Sequence, residues 1–355
     1  MKAVRFHAAR DVRVEQVPEP GAPGPGELLL APRLCGICGT DLHEYMAGPI
    51  VTPSEPHPLT GAQSPQILGH ELAAEVVAVG EGVTAAAPGD RVSVMPLAYC
   101  GRCYYCRRGL NHLCVTMGCV GLSWPWGGLG ELALVADYQV AVLPDALSWE
   151  QGALVEPAAV ALYGVDRGEV RPGDSVLITG AGPIGALAVL AARAAGAGAV
   201  YLSEPNPVRA ERAAALEAAD EILDPRAVDV AAELRARTGG IGVDVAIECG
   251  GNARALDDCV RATRKAGTVV QTGLHVGPAE VTPMTWSEHD LTIVGTWCYP
   301  VYDWPRIIAL VASGRFPVER VVTSKIALEE TVERGFEALV DPSGSELKIL
   351  VEVGG

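Results

Sequence analysis

VLITGAGPIGALAVL (residues 176–190) is the stretch that decides the fold of this chain. A β-rich apolar run leads into Gly180, Gly182 and Gly185 in the pattern G-x-G-x-x-G, and an alanine-rich helical segment follows. Between a strand and a helix, such glycines permit a tight turn, close approach of the backbone to a pyrophosphate and close helix packing. An ordinary tight turn is the alternative, but the flanks favour a dinucleotide site. Pro183 and Ile184 lie between the glycines, where a helix N-terminus would hold the phosphates.

An acidic residue should follow the glycine pattern by about 20 residues, at the end of the next strand. Glu204 closes AVYLSE at that position. Its carboxylate would accept hydrogen bonds from the adenosine ribose hydroxyls and would repel the extra phosphate of NADP. We therefore expect NAD as the cofactor. Arg209, five residues further on, is either a residue that attracts that phosphate or a solvated charge on a helix.

The pattern around the glycines predicts a Rossmann domain over residues 158–299. DSVLITG, AVYLSE, VDVAIECG, GTVVQTG and LTIVGT are apolar strand-like runs, and helical segments such as PVRAERAAALEAA separate them. Strands that alternate with helices form βαβ units and a doubly wound parallel sheet. The fold class is therefore α/β.

The residues before this domain predict a second, β-rich domain. KAVRF, VRVEQV, ELLLAPRL, AAEVVAVG and RVSVMP are short runs separated by Pro/Gly turns, a spacing typical of a barrel or sandwich. The tail from about residue 300 contains the helical segment DWPRIIALVASG and the closing strand ELKILVEV. We assign residues 1–157 and 300–355 together to this domain.

Composition and charge restrict the class of function. The 355 residues carry a net charge of −16, which disfavours nucleic acid and anionic membrane surfaces as partners. No run reaches the roughly 18 apolar residues of a membrane span, and the start does not read as a signal peptide. We expect a cytoplasmic protein. Ten cysteines in a reducing compartment more often bind metal or lie buried than form disulfides.

Four cysteines are concentrated in YCGRCYYCRRGLNHLC (residues 99–114). Cys100, Cys103, Cys106 and Cys114 would provide four thiolates for a tetrahedral zinc without an open position. An iron–sulfur cluster and buried free thiols are the alternatives that the residues themselves leave open.

CGICGTDLHEY (residues 35–45) contains two further cysteines, Cys35 and Cys38. His70 in ILGHE and Glu156 in GALVEPAAVAL lie in separate segments. A thiolate, an imidazole and a carboxylate would bind a catalytic zinc and leave one position open for water or substrate. Each residue alone also has an ordinary interpretation: His70 as a buried, satisfied histidine, and Glu156 as an acid at a helix N-terminus.

These motifs together resemble the zinc-dependent medium-chain dehydrogenases over essentially the whole chain. Glu156 stands where the liver-type alcohol dehydrogenases have a second cysteine ligand, as in the polyol (sorbitol dehydrogenase-like) branch. PHPLTGA (residues 56–62), LGHE and GALVEPAAVAL are most similar to the 2,3-butanediol dehydrogenases. The resemblance implies a GroES-like catalytic domain beside the Rossmann domain, two zinc ions per subunit, NAD and a homodimer or homotetramer.

The resemblance also implies roles for individual residues. It makes Cys38, and not Cys35, a ligand of the catalytic zinc together with His70 and Glu156. Glu71 becomes either an acid beside the ligands or an alternative ligand. The four cysteines at 100, 103, 106 and 114 become the ligands of a structural zinc.

The implied reaction is reversible hydride transfer from a secondary alcohol to NAD. Zinc would lower the pKa of the substrate hydroxyl, Thr40 would contact that oxygen, and His43 would pass the proton to water. The expected substrate is 2,3-butanediol, or acetoin in reverse; a sorbitol-like polyol and L-threonine are the alternatives. Trp124 and Trp126 either line the pocket or pack within the fold. A non-catalytic, NAD-sensing scaffold is the least favoured interpretation.

Overall fold

The N-terminal part of the chain consists mainly of β-strands. The computed structural model describes residues 1–341 and 344–354. Its first strands are β1 Lys2–Ala8, β2 Asp11–Gln16, β3 Glu27–Gly36, β4 Gln66–Ile67, β5 Glu71–Val79, β6 Arg91–Val94, β7 Leu97–Ala98, β8 Gly118–Cys119, β9 Ala133–Ala136 and β10 Val140–Val142. The helices of this part are α1 Gly39–Ala47 and α2 Trp149–Ala153, with short 3₁₀ turns at Cys106–Arg108, Asn111–Leu113 and Asp137–Gln139.

The middle of the chain alternates helices with strands, as its sequence pattern predicts. The helices are α3 Val155–Arg167, α4 Pro183–Ala194, α5 Pro207–Ala214, α6 Val230–Arg237, α7 Ala253–Ala262 and α8 Pro283–His289. The strands are β11 Ser175–Thr179, β12 Ala199–Ser203, β13 Glu221–Leu223, β14 Val243–Glu248, β15 Thr263–Gln271 and β16 Thr292–Gly295.

The C-terminal part returns to mixed structure. Its elements are α9 Trp304–Ala312, β17 Ser324–Ala327, α10 Glu337–Val340 and β18 Ile349–Glu352, with 3₁₀ turns at Val301–Asp303, Val318–Val321 and Leu328–Glu330 and a π-helical turn at Thr331–Phe336. None of the helices in the described ranges is both long enough and apolar enough to cross a bilayer.

The described residues form two units. Unit 1 comprises Met1–Glu156, Pro300–Gly314 and the described part of Val322–Gly355; unit 2 comprises Pro157–Tyr299 and Arg315–Val321. The segment Arg315–Val321 lies in unit 2, whereas the expected assignment placed all of 300–355 with the first domain. The reason is local packing: Val318 and Val321 are buried, and the Arg320 guanidinium donates to the backbone oxygen of Ala215 in unit 2.

Unit 1 contains a seven-stranded sheet. Its order is β10–β6–β5–β3–β18–β17, and β9 also pairs with β3. Alternate residues of β3 are buried, which is the period-2 pattern of a strand with one face on a core. β18 from the C-terminal tail pairs antiparallel with the end of β3. Smaller sheets, β2–β1–β4 and β7–β8, complete the β-rich unit.

Unit 2 contains a six-stranded parallel sheet in the order β13–β12–β11–β14–β15–β16. This is the doubly wound order, in which β12 and β13 are added on one side of β11 and the strands from β14 onwards on the other side. The interior of β11 is fully buried, and so is one long face of α4. The predicted α/β fold class with a Rossmann sheet is therefore confirmed.

Candidate active site and metal centres

Three candidate zinc ligands converge in unit 1. One ligand atom each from Cys38, His70 and Glu71 lies within 4.8 Å of the other two. The strand register explains this, because Gly36 at the end of β3 lies opposite Glu71 at the start of β5. Cys38 then caps α1, two residues beyond β3. The imidazole and the carboxylate are almost completely buried, an environment in which a cation is needed to balance negative groups.

Asp41 lies next to the imidazole of His70. Its Oδ2 accepts a hydrogen bond from the backbone N–H of Cys38 at 2.9 Å, and its Oδ1 lies 3.6 Å from Nδ1 of His70. Burial by itself lowers the pKa of His70, but Asp41 and Cys38 raise it, and the net pKa lies well above the ordinary imidazole value. A carboxylate behind a ligating histidine orients the ring and increases its basicity. The sequence analysis missed Asp41, although its position three residues after Cys38 is the spacing of a capping box.

Lys348 is a second residue that the sequence analysis missed. Its side chain is almost completely buried, forms an ion pair with Glu71 and donates from Nζ to the backbone oxygen of Ile37 at 2.9 Å. Burial by itself lowers the pKa of Lys348, but Glu71 and Cys38 raise it above the usual lysine value. The site therefore contains a permanent cation beside Glu71.

Several buried polar atoms of this site lack a hydrogen-bond partner among the described residues. They are Oδ1 of Asp41, Nδ1 of His70 and Oε1 of Glu71, whereas Oε2 of Glu71 is held by the ion pair with Lys348. Unpartnered buried polar atoms are costly. With a thiolate, an imidazole and carboxylates, they form a donor set that suits zinc.

Glu156 lies in the first turn of α3 and is 7% exposed. It does not belong to the compact group of Cys38, His70 and Glu71. Its charge nevertheless acts on that neighbourhood, because it contributes to the raised pKa values of Lys348 and Cys119. The structure therefore places Glu71 with Cys38 and His70, while Glu156 lies close enough for its charge to act on Lys348 and Cys119.

Thr40 and His43 occupy one side of α1, since residues three apart on a helix are neighbours. The hydroxyl of Thr40 lies 3.7 Å from the Cys38 sulfur, and both Thr40 and His43 are partly exposed. The two side chains therefore begin beside the candidate ligands and extend along the helix.

The four cysteines of the 99–114 segment also converge. One sulfur from each lies within 4.8 Å of the other three. Backbone N–H groups of Cys106 and Val115 lower the pKa of Cys103 to about 6, whereas burial raises the pKa of Cys106 to about 12. All ten cysteines are free thiols in the structure, which agrees with the expectation of metal-binding or buried cysteines. Four convergent thiols fit a closed tetrahedral metal site.

The glycine-rich loop of unit 2 has the conformation that its sequence predicts. Gly180 has φ +86°, and a Cβ there would lie 2.8 Å from the Cα of Gly250. A Cβ on Gly185 would lie 1.8 Å from the Gly180 oxygen, so only glycine permits this helix packing. Gly182 caps α4 and has no atom within 4 Å of such a Cβ, which leaves an open approach for a phosphate. Pro183 and Ile184 form the first turn of α4.

Glu204 lies directly after β12 and is 4% exposed. Its carboxylate accepts hydrogen bonds from the backbone N–H groups of Ala181 at 2.6 Å and Asn206 at 2.7 Å. The negative charge is thus held against the glycine-rich loop. Arg209 is exposed on α5. The arrangement fits a dinucleotide whose adenosine ribose reaches the end of β12.

Trp124 has a structural contact. Its indole N–H donates to the backbone oxygen of Leu134 at 2.8 Å, and both Trp124 and Trp126 are partly buried. This hydrogen bond joins the loop between β8 and β9 to β9 itself. Packing within the fold therefore explains the position of Trp124.

The fold and site define a zinc-dependent dehydrogenase. The alcohol dehydrogenase GroES-like domain family matches residues 24–145, and the zinc-binding dehydrogenase family matches residues 183–313. The chain belongs to this zinc-dependent alcohol dehydrogenase family, as its motifs predict, and the family uses zinc and a nicotinamide cofactor.

The chain is similar to particular members. It is 41% identical to (R,R)-butanediol dehydrogenase of Bacillus subtilis over 353 residues, which cover 99% of each chain. The crystal structure of 2R,3R-butanediol dehydrogenase from that organism superposes with a TM-score of 0.92, again over 99% of each chain. A putative zinc-binding dehydrogenase from Sinorhizobium meliloti 1021, bound to NADP, is 34% identical, with a TM-score of 0.87 and coverage of 99% and 98%.

Proposed function

We propose that this protein interconverts 2,3-butanediol and acetoin with NAD(H). The observation that carries the proposal is the buried group of Cys38, His70 and Glu71 in a chain that is similar to butanediol dehydrogenases over its whole length. A thiolate, an imidazole and one of the two neighbouring carboxylates, Glu71 or Glu156, would leave one coordination position open, which suits alcohol oxidation.

Cys38, His70 and Glu156 would hold the catalytic zinc, with Glu71 as the adjacent acid. When bound, zinc lowers the pKa of an alcohol that reaches it, by acting as a Lewis acid. The Asp41 carboxylate acts on His70 through its charge, with Oδ1 3.6 Å from Nδ1. Lys348 holds Glu71 in an ion pair and thereby leaves the ligand position to Glu156.

α1 supplies the route by which the proton leaves. Thr40, beside Cys38, would accept the proton of the substrate hydroxyl as it gives up its own. That proton would pass through the nicotinamide ribose to His43, one turn further along the helix, and then to water. When bound, the nicotinamide cofactor would accept the hydride from the substrate, so no side chain would be needed to carry it.

Cys100, Cys103, Cys106 and Cys114 would hold a second, structural zinc. The partly exposed chain around them forms only short 3₁₀ turns, so a cross-link through four thiolates would supply the stability that a small core lacks. The free cysteines also agree with a reducing compartment such as the cytoplasm.

NAD is the proposed form of the cofactor. The Glu204 carboxylate, at the end of β12, would repel the 2′-phosphate of NADP. Arg209 is exposed three residues beyond Asn206, the N-cap of α5, and is the residue through which NADP could compete. A higher kcat/KM for NAD⁺ than for NADP⁺ would support this choice.

A homodimer or homotetramer is the proposed assembly. β16 forms an edge of the parallel sheet, and exposed apolar side chains lie around it, including Met284 and Trp297. An uncovered sheet edge with apolar neighbours is suited to pairing with a second copy. Size-exclusion chromatography with light scattering would measure the mass.

The decisive experiment is NAD⁺ reduction, followed by absorbance, with (R,R)-, meso- and (S,S)-2,3-butanediol, sorbitol and L-threonine. Zinc-replete enzyme should turn over a butanediol isomer fastest, and chelation should abolish the rate. Turnover of sorbitol or threonine, with no turnover of butanediol, would support the proposed mechanism but identify a different substrate. Binding of NAD⁺ without turnover of any alcohol would favour the scaffold interpretation.

A further inference from the structure

Glu248 and His275 form a polar pair in unit 2 for which the proposed mechanism has no role. Glu248 ends β14, and its side chain is completely buried. Its Oε1 accepts a hydrogen bond from the backbone N–H of Gly251 at 2.7 Å, and its Oε2 lies 3.1 Å from Nε2 of His275. Because an ionised carboxylate can only accept hydrogen bonds, Nε2 of His275 is the donor to Oε2.

Glycines provide the space for this carboxylate. A Cβ on Gly273 would lie 2.6 Å from Oε2 of Glu248, and a Cβ on Gly250 would lie 3.3 Å from Oε1. The backbone N–H groups of Thr272 and Gly273 also donate to the Glu248 backbone oxygen, at 2.9 and 2.8 Å. The chain therefore fixes one buried negative charge at the ends of β14 and β15.

The position of the Glu248–His275 pair in the parallel sheet indicates which half of the dinucleotide lies near it. β14 follows β11 in the sheet at the point where the strand order reverses. The loop after Glu248 touches the glycine-rich loop, since a Cβ on Gly180 would lie 2.8 Å from Gly250. In this sheet order the two nucleotide halves bind on opposite sides of the reversal. Glu204, directly after β12, lies on the side where the adenosine half is expected. The nicotinamide half is therefore assigned to the side of β14 and β15.

We propose that the Glu248–His275 pair adjoins the nicotinamide half of the cofactor and favours the oxidised nucleotide over the reduced one. This inference rests on the NAD(H) dependence proposed above. The oxidised ring carries one positive charge that the reduced ring lacks, and the two nucleotides are otherwise alike in charge. A fixed carboxylate in a poorly solvated position therefore stabilises one form selectively. A permanent cation in place of His275 would offset the carboxylate charge and weaken the preference.

Two buried thiols interact electrostatically with Glu248 and add no charge beside it. Cys249 and Cys259 both interact with the Glu248 charge, and burial is the main cause that raises the pKa of each thiol. Both stay neutral at physiological pH. Glu248 and His275 therefore determine the local charge.

The test is calorimetric measurement of Kd for NAD⁺ and for NADH at constant ionic strength. It uses zinc-replete wild type, Glu248→Gln, His275→Lys and Glu280→Gln, all at pH 8. Glu280 is exposed on the loop after His275 and serves as the control for loss of one negative charge. Glu248→Gln should raise Kd(NAD⁺)/Kd(NADH) about tenfold, whereas the control should leave the ratio within about twofold.

His275→Lys should also raise the ratio, because its ammonium group would offset the Glu248 carboxylate. Equal weakening of both nucleotides by Glu248→Gln would indicate a structural role and overturn the inference. If that variant does not fold, an unchanged ratio in His275→Lys would overturn it instead. Failure of the wild type to bind either nucleotide would contradict the proposed cofactor itself.

Discussion

Lys348 forms a buried ion pair with Glu71, and each side chain is 1% exposed. The pair joins the start of β5 to the residue that precedes β18, on either side of β3. The ammonium group also donates to the backbone oxygen of Ile37, next to Cys38. One lysine from the C-terminal tail therefore holds both a carboxylate and a backbone segment of the candidate zinc site.

Lys348→Met should destabilise the protein strongly. Removing one partner leaves a buried, uncompensated carboxylate, which costs about 3–5 kcal/mol. Denaturant unfolding in zinc-containing buffer measures the change. Lys325→Met is the matched control, because Lys325 pairs with Glu150 at a partly exposed site and should contribute about 1 kcal/mol or less. Equal losses in the two variants would contradict the assigned role of Lys348.

His43→Ala should lower kcat on the order of 10²-fold near neutral pH, because proton release loses its outer acceptor. Zinc content, measured by atomic absorption, should not change. His57→Ala is a suitable control, since Nδ1 of His57 accepts from the backbone N–H groups of Leu59 and Thr60 within its own loop. A rate that does not change at any pH would exclude His43 from the proton route.

Gly182→Ala and Gly185→Ala should have different effects. A Cβ on Gly182 has free space, so this variant should unfold like the wild type but bind NAD⁺ more weakly, with a Kd increased about tenfold. A Cβ on Gly185 would collide with the Gly180 oxygen, so this variant should lose stability. Thermal unfolding and calorimetry separate the two effects. Unchanged NAD⁺ affinity in Gly182→Ala would argue against phosphate binding at this loop.

Removing metal should expose Cys103 to alkylation. Its pKa of about 6 makes it a thiolate at pH 7, whereas Cys106, with a pKa of about 12, stays protonated. A lowered pKa means that the thiolate, and the stability it contributes, is retained above the unfolded value and is lost as the pH falls through about 6. Mass spectrometry after iodoacetamide treatment should show Cys103 labelled first in chelated protein and slowly below pH 6. Preferential labelling of Cys106 would contradict this.

The local patterns were sufficient for the fold of unit 2. Gly180 and Gly185 are interpretable from sequence because each meets a backbone requirement that only glycine satisfies, and Gly182 because it leaves an open approach for a phosphate. The cysteines at 100–114 are close in the chain, so their convergence was also predictable. The choice of Cys38 and His70 as candidate ligands depended on the family resemblance, since they belong to segments separated by more than 30 residues.

The amino-acid sequence by itself therefore determined the parallel sheet, the glycine-rich loop and the cysteine cluster, because each follows from short-range periodicity or spacing. Only the tertiary structure decided which distant groups meet. Asp41 behind His70, Lys348 beside Glu71 and His275 on Glu248 each depend on strand register or on loops between strands. No local pattern encodes such contacts, because the burial that gives these charges their effect exists only after the strands have paired.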